Sequence, residues 1–276
     1  MTSSEIALLA KIAISLGMTK IKLTGGEPLL RKDILDIIKG LAELENLEDL
    51  SMTTNGTFLA PMAKDLRSSG LKRVNVSLPS LKPEVYTGLM GGHLKEVLEG
   101  IDAAVEVGLH PVKVNMLVLA GVNEEDIPEM IHFAGKSGTV LQLIELEPIN
   151  IGKHYYEKHH YPLNAVEADL ARQAVETKVR RDMQNRRIFV LPEGRVEVIH
   201  PIENTEFCAN CTRLRITSDG KLKPCLMVNT NLVDVLTPLR SGADEDQLTR
   251  LLAGTCRARE PYYKPPPHQR VKTLAL

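Results

Sequence analysis

The sequence predicts an α/β protein in which parallel strands alternate with helices and close only part of the way into a barrel. The first 150 residues repeat one pattern, a short β-branched run, turn residues, then a longer stretch of helical period. Its spacing suits βα units with the helices outside a parallel sheet. The pattern supplies five strands, too few for an eight-fold barrel, so an open or partial barrel is expected.

Each element has a local reason. Thr2-Ser3-Ser4-Glu5 reads as a capping box, so a helix starts almost at the first residue. Strands are expected at Lys20–Thr24, Asp49–Thr54, Arg73–Leu78, Val112–Val118 and Val140–Leu146, and helices near 31–45, 59–69, 93–107 and 124–137. The rhythm stops near residue 150. His154, His159 and His160 with Tyr155, Tyr156 and Tyr161 suggest a loop, and residues 165–180 look helical. Arg187–Leu191, Pro192-Glu193-Gly194 and Arg195–Ile199 read as a hairpin and its turn. A further helix is expected near 244–253, and Pro265-Pro266-Pro267 opens an extended tail.

Bulk properties exclude several classes. The 276 residues carry 34 Lys+Arg against 35 Asp+Glu, a net charge of −1, which argues against a nucleic-acid binder. With 43% hydrophobic and 25% charged residues, the composition is that of a globular domain. No apolar run reaches the roughly 18–20 residues of a membrane span. The first residues lack a basic segment and a cleavage site, so no membrane partner and a cytoplasmic location are expected.

The four cysteines are Cys208, Cys211, Cys225 and Cys256, and the first three lie within 18 residues. A disulfide framework would use more, spread more evenly. Cys208-Ala-Asn-Cys211, thirteen residues, then Cys225 is a ligand spacing. A structural zinc site needs a fourth ligand, for which His200 and Cys256 are candidates. An iron–sulfur cluster on three cysteines leaves one iron open to substrate. Both readings stand on spacing alone, as does coincidence.

Other residues carry weaker signals. In Thr212-Arg213-Leu214-Arg215, a strand would set Arg213 and Arg215 on one face, suited to a phosphate or purine. Thr24-Gly25-Gly26-Glu27-Pro28 lets backbone approach a ligand after the first strand, and Thr53-Thr54-Asn55-Gly56 ends the second. Ser77 ends the third strand and Lys113 begins the fourth; ligands of βα barrels bind at strand ends. Lys20 and Lys22 alternate on the first strand, where inward lysines would need an anion and outward exposure is the simpler reading. Arg180, Arg181, Arg186 and Arg187 read as a solvated face.

Taken in order, Lys-Ile-Lys-Leu-Thr-Gly-Gly-Glu-Pro-Leu-Leu-Arg at 20–31, Thr-Thr-Asn-Gly at 53–56, Val-Asn-Val-Ser-Leu at 74–78, Val-Lys-Val-Asn at 112–115 and the cysteine segment with Thr-Arg-Leu-Arg resemble the radical S-adenosylmethionine (SAM) GTP 3′,8-cyclases, the molybdenum cofactor biosynthesis protein A family. The resemblance implies a partial (βα)6 TIM-like barrel over residues 1–150 and a C-terminal cluster- and GTP-binding region over 151–276. It implies that Cys208, Cys211 and Cys225 hold a [4Fe–4S] cluster whose open iron binds GTP through the purine. Lys22, Thr53, Lys113, Arg213, Leu214 and Arg215 would contact GTP, with Lys20 a further triphosphate contact, and Gly26 and Ser77 would contact SAM. The implied reaction is the lyase-type conversion of GTP to (8S)-3′,8-cyclo-7,8-dihydroguanosine 5′-triphosphate. A cyclic pyranopterin monophosphate synthase acting on the product, an electron donor and a homodimer are the implied partners.

The chain departs from that family in four places. The Cys-x3-Cys-x2-Cys motif of the radical-generating cluster is absent, and no cysteine precedes Cys208. Gln142 stands where an Arg is common, and Glu147 where a Met is. Pro79 replaces the usual Asp, and the end, Thr-Leu-Ala-Leu276, lacks a Gly-Gly tail. The expectation is a cyclase represented without its N-terminal cluster segment, so that these 276 residues do not cleave SAM. The alternatives are a non-catalytic nucleotide-binding protein that keeps one cluster, and a zinc-stabilised scaffold.

Overall fold

In the computed structural model, which describes residues 1–181 and 183–264, the chain opens on α1 (Ser3–Ser15). Thr2 caps it reciprocally with Glu5, as the sequence predicts. There follow β1 (Lys20–Leu23), α2 (Ile34–Ala42), β2 (Asp49–Thr54), α3 (Leu59–Ser68), β3 (Arg73–Ser77), α4 (Pro83–Met90), α5 (Leu94–Glu106), β4 (Lys113–Val118), α6 (Ile127–Lys136) and β5 (Val140–Glu145). The five expected strands form within one residue of their expected ends. Helix α4 was not foreseen, although Pro83 in its first turn and left-handed Gly91 at its end are helix boundary signals.

Beyond β5 two readings are corrected. The His/Tyr segment is a short helix, α7 (Lys153–His159), in which Tyr155 packs on His159 and Tyr156 on His160, one turn apart. The stretch read as helical over 165–180 ends early. Helix α8 (Asn164–Gln173) gives way to β6 (Glu176–Arg180), where β-branched Thr177 and Val179 alternate with charged residues. The hairpin is real, as β7 (Arg186–Leu191) and β8 (Gly194–Ile199).

One eight-stranded sheet runs β1-β2-β3-β4-β5-β8-β7-β6. Strands β1 to β5 are parallel, and β8 adds a sixth parallel strand to β5, with Gln142 opposite Glu197. Strands β7 and β6 continue antiparallel. The hairpin docks because α6 carries a glycine where it crosses the turn. A β-carbon on Gly135 would lie 1.5 Å from the Glu193 carbonyl oxygen.

The outer face of the sheet is apolar. Leu50, Met52, Val74, Val76, Val114, Met116, Leu141, Leu143, Val196 and Val198 are buried against the helices. The inner face, by the alternation of each strand, is polar. Register lines up Lys22 with Ser51, Ser51 with Arg73, Thr53 with Asn75, Asn75 with Lys113, and Asn115 with Gln142.

The C-terminal segment holds α9 (Thr205–Ala209), the small sheet of β9 (Arg215–Ile216), β10 (Lys221–Lys223) and β11 (Val233–Asp234), then α10 (Leu236–Arg240) and α11 (Glu245–Arg257). It returns to the start of the chain. Leu222, Val235, Leu248 and Leu252 share a second core with Leu9 and Ile12 of α1, and Glu5 pairs with Arg240 at 2.8 Å. No helix among the described residues is long and apolar enough to cross a membrane. The expected Pro265-Pro266-Pro267 tail and the chain end lie outside the described residues.

Candidate functional site

The polar inner face centres on Glu197, which is wholly buried. Its carboxylate pairs with the Lys113 ammonium and accepts from Gln142 Nε2. Arg180 Nη1 lies 3.2 Å and Arg186 Nη1 3.6 Å away. Burial works to raise the Glu197 carboxyl, but Lys113, Arg186 and Arg180 outweigh it and hold it at about 2. Burial also pulls Lys113 down, to about 8, against the attraction of Glu197. Arg73 forks onto Asp49, with Nε 3.0 Å from both carboxylate oxygens.

The reading of Arg180 and Arg186 as a solvated face is therefore corrected. The side chain of Arg186 is 4% exposed and that of Arg180 24%. Their strands turn them onto Glu197, where sequence alone showed only a run of positive charge. Lys22 is exposed, as the simpler reading expects, but it stands on the polar inner face of the sheet. It reaches solvent, yet the walls of the concavity surround it, and this desolvation with Arg73, Lys113 and Arg186 brings it down to about 7. Lys22 has no hydrogen bond or ion pair with any described residue. Lys20 lies one alternation earlier and is exposed. Thr53 and Ser77 line up with Asn75 and Asn115, and neither hydroxyl is hydrogen-bonded among the described residues. Asn75 donates to Gln142 Oε1 at 2.6 Å, while its own buried Oδ1 has no partner among the described residues.

At the end of β1, Gly25 takes φ +152°, a conformation reserved for glycine, and a β-carbon on Gly25 or Gly26 would meet no atom within 4 Å. The turn is held by Glu27, a residue the sequence reading assigned no role. Its carboxylate accepts from Thr54 Oγ1 at 2.7 Å, the Asn55 amide at 2.7 Å and the Leu29 amide at 3.0 Å. The Gly-Gly loop and the Thr-Thr-Asn-Gly loop are thus one unit, with open space over the glycines.

The cysteines gather at the carboxyl ends of β5 and β8. Cys208, Cys211 and Cys225 line one open cavity with Arg213, Arg215 and Glu147. Asn204 caps α9 through the Phe207 amide, and Arg259 Nη2 fixes the Cys208 carbonyl at 3.1 Å. Burial pushes the Cys208 thiol up, the amides of Tyr263 and Tyr262 oppose it, and Cys225 and Cys211 push it further up. Burial likewise raises Glu147. Arg213 and Arg215 share the cavity without sharing a strand, because β9 begins only at Arg215. Leu214 packs against the second core.

The fourth-ligand candidates lie elsewhere. His200 Nε2 is 2.6 Å from Glu167, and the exposed Cys256 does not line the cavity. The His160 ring is 2.9 Å from Glu145. Among the described residues no three His, Cys, Asp or Glu side chains are placed to hold a single metal ion. The three thiols share one cavity, and the backbone amides of Tyr263 and Tyr262 are directed at Cys208. Arg186 joins the two regions, acting through space on Lys22 and on Cys211.

Comparison with known proteins gives the family. Residues 1–134 match the Radical SAM superfamily and residues 139–265 match Molybdenum Cofactor Synthesis C. A Thermococcus kodakarensis protein named "Probable GTP 3',8-cyclase" is 48% identical, over 96% of this chain and 87% of its own length. A Methanothermobacter marburgensis protein of the same name is 44% identical with the same coverage. The fold resembles Streptococcus suis SuiB bound to S-adenosylmethionine, with a TM-score of 0.62, 18% identity, and coverage of 90% of this chain and 60% of that one. The cofactors of this superfamily are S-adenosylmethionine and a [4Fe–4S] cluster. The partial barrel, the cysteine cavity and these relatives together place the chain in the GTP 3′,8-cyclase family of molybdenum cofactor biosynthesis, within the radical SAM superfamily.

Proposed function

We propose that this chain carries the substrate-binding machinery of a GTP 3′,8-cyclase, the enzyme forming (8S)-3′,8-cyclo-7,8-dihydroguanosine 5′-triphosphate. The observation that carries the reading is the joining of Cys208, Cys211, Cys225, Arg213 and Arg215 in one cavity with no fourth cysteine or histidine among its described lining residues. The three cysteines hold a [4Fe–4S] cluster, which when bound offers an open iron to the purine. Residues 151–276 supply this part of the site, and the barrel of residues 1–150 supplies the rest.

The triphosphate takes the cationic concavity. Lys22, without a partner among the described residues, and Lys113, held on Glu197, bind its oxygens with Lys20 at the rim, and Thr53 donates its hydroxyl. Arg213 and Arg215 orient the nucleotide at the cluster, and the backbone at Leu214 follows it. Gly26 and Ser77, beside open space at the ends of β1 and β3, receive S-adenosylmethionine. This sequence supplies no thiolate for a cluster beside that turn, since Cys208 is its first cysteine. A pyranopterin-forming synthase consumes the product, an electron donor serves the radical step, and the enzyme is a homodimer.

The test is anaerobic reconstitution with iron and sulfide, followed by GTP titration. The expected result is about four irons per chain and a cluster spectrum perturbed by GTP. Cys256→Ala should keep the iron, and Cys211→Ala should lose it. One tightly held zinc, lost in Cys256→Ala or His200→Ala, would overturn the assignment.

A further inference from the structure

Strand β6 ends the eight-stranded sheet, and no strand among the described residues pairs with its outer edge. Glu176, Thr177, Lys178 and Val179 are all exposed, so neither face of the strand is covered. Val175, just before it, already donates its amide to the Val190 carbonyl at 2.9 Å. Val175 is 73% exposed and Val179 52%. Thr177 stands beside Phe189, which is buried in the main core, so Val175, Thr177 and Val179 carry the apolar outer face of the sheet past its last covered strand. Such edges are commonly guarded by a proline or by unmatched charge. Here no proline lies between Val175 and Arg180, and the exposed charges, Glu176 and Lys178, are opposite in sign, 3.3 Å apart on one face.

An open edge accepts another extended strand, and the side chains decide which one. A second copy related by a two-fold axis lies antiparallel to the first and offers the same residues. With the axis at Thr177, Thr177 meets its own copy, Glu176 meets Lys178, and Val175 meets Val179. The last two pairs each occur twice. Every one of these pairings is favourable across neighbouring strands. Moving the axis by one residue, so that the outer faces still align, spoils the match. An axis at Lys178 sets two ammonium groups against each other, and an axis at Glu176 sets two carboxylates. A purely acidic or purely basic segment would satisfy only one of the two charges.

We propose that β6 is the interface between two copies of this chain, its outer edge pairing antiparallel with the same edge of the second copy about Thr177. The proposal rests on the homodimer of the reading above and gives it a surface. It also ties assembly to the site. Arg180 closes β6 and reaches Glu197 at 3.2 Å, so a partner strand backs the strand that delivers this guanidinium.

The test is analytical ultracentrifugation of the anaerobically reconstituted full chain, without nucleotide, over a wide range of concentration. Wild type is expected to dimerise. Glu176→Lys opposes lysines at both symmetric positions, and Lys178→Glu opposes carboxylates there. Each single variant should weaken the dimer by about tenfold or more. The double variant Glu176→Lys/Lys178→Glu exchanges the charges and should recover the wild-type association, which two folding defects added together would not do. The two single variants should also pair with each other when mixed, since each supplies the charge the other lacks. A dimer unaltered by both single variants overturns the proposal and leaves a homodimer formed through another surface. A double variant no tighter than the singles, or single variants that do not pair when mixed, overturns it as well. A wild-type chain that stays monomeric at every concentration would overturn the homodimer and this inference together, and would leave the GTP reading standing.

Discussion

Glu197→Gln should destabilise the chain severely, and the structure sets the scale. The wild-type carboxyl is held at about 2 against an ordinary 4.5. At 1.36 kcal/mol per unit, its ionised form gains roughly 3 kcal/mol from its surroundings. Lys113 shows the opposite balance, lowered from 10.5 to about 8, so it forfeits roughly the same amount to burial. The pair as a unit is near neutral, as buried ion pairs often are, but one member alone is not. Gln at 197 keeps the volume and removes the charge, leaving Lys113 and Arg186 buried without a counterion. The expected loss is about 3 kcal/mol, or a fall in Tm of roughly 6–12 °C. The double variant Glu197→Gln/Lys113→Met removes the stranded ammonium and should recover about half. Chemical denaturation with a calorimetric scan measures both. The sign with pH is also fixed: because the folded-state value is depressed, the stabilisation is complete above about 4.5 and is lost as pH falls from there toward 2. A Glu197→Gln chain within 2 °C of wild type, or a double variant no better than the single, would refute the reasoning.

Two further outcomes follow from the same geometry. Lys22 titrates near 7 in the free chain, and a bound polyanion will raise it. GTP binding at pH 8 should therefore take up protons, and affinity should fall as pH rises, by at most about tenfold per pH unit for each proton taken up. Calorimetry in two buffers of different ionisation heat reads the uptake, and a Lys22→Met chain taking up as many protons as wild type would exclude Lys22. Gly135→Ala would drive a methyl group into the Glu193 carbonyl. Because the obstacle is backbone, the hairpin must shift, at a cost of about 3 kcal/mol or more; a Tm lowered by less than 2 °C would show that the hairpin docks otherwise.

The legible part of this fold was its repetitive part. The strands from β1 to β5 announce themselves because each is a β-branched run bounded by turn residues, and period alone separates it from the next helix. Strand β8 was legible as half of a hairpin, but its parallel partner was not. Nothing local to Gly194–Ile199 says that it will lie beside Val140–Glu145; that depends on Gly135 letting the turn approach α6. Strand β6 was lost to the helix before it because Glu176, Lys178 and Arg180 carry the charges of an exposed helix face. The cysteines were legible by spacing, and Arg213 with Arg215 by proximity to them. Glu27 and Glu197 were not, because one acidic residue in a strand or turn gives no sign of what it will face. Only the fold shows that Glu27 spans two loops and that Glu197 gathers three cations.

The inversion of polarity across this sheet gives the charged residues a common reason. A closed barrel fills its centre with layers of side chains, usually branched and apolar. Here the apolar residues lie outward under the helices, and among the described residues the concave face gathers Lys22, Arg73, Lys113, Arg180 and Arg186 around Asp49 and Glu197. Cationic side chains outnumber carboxylates in this group. Packing does not require this, since apolar side chains would fill the space with less desolvation. Such an excess is stable only where water or an anion balances it, and Lys22, exposed and without a partner among the described residues, is open to either. The cysteine cavity differs in its chemistry, with three thiols and one carboxylate in its lining beside Arg213 and Arg215. Arg186 lies within electrostatic reach of both. A nucleoside triphosphate, anionic at one end and rich in N–H donors at the other, meets both demands in a single extended ligand, and a free polyphosphate or a free base would meet only one.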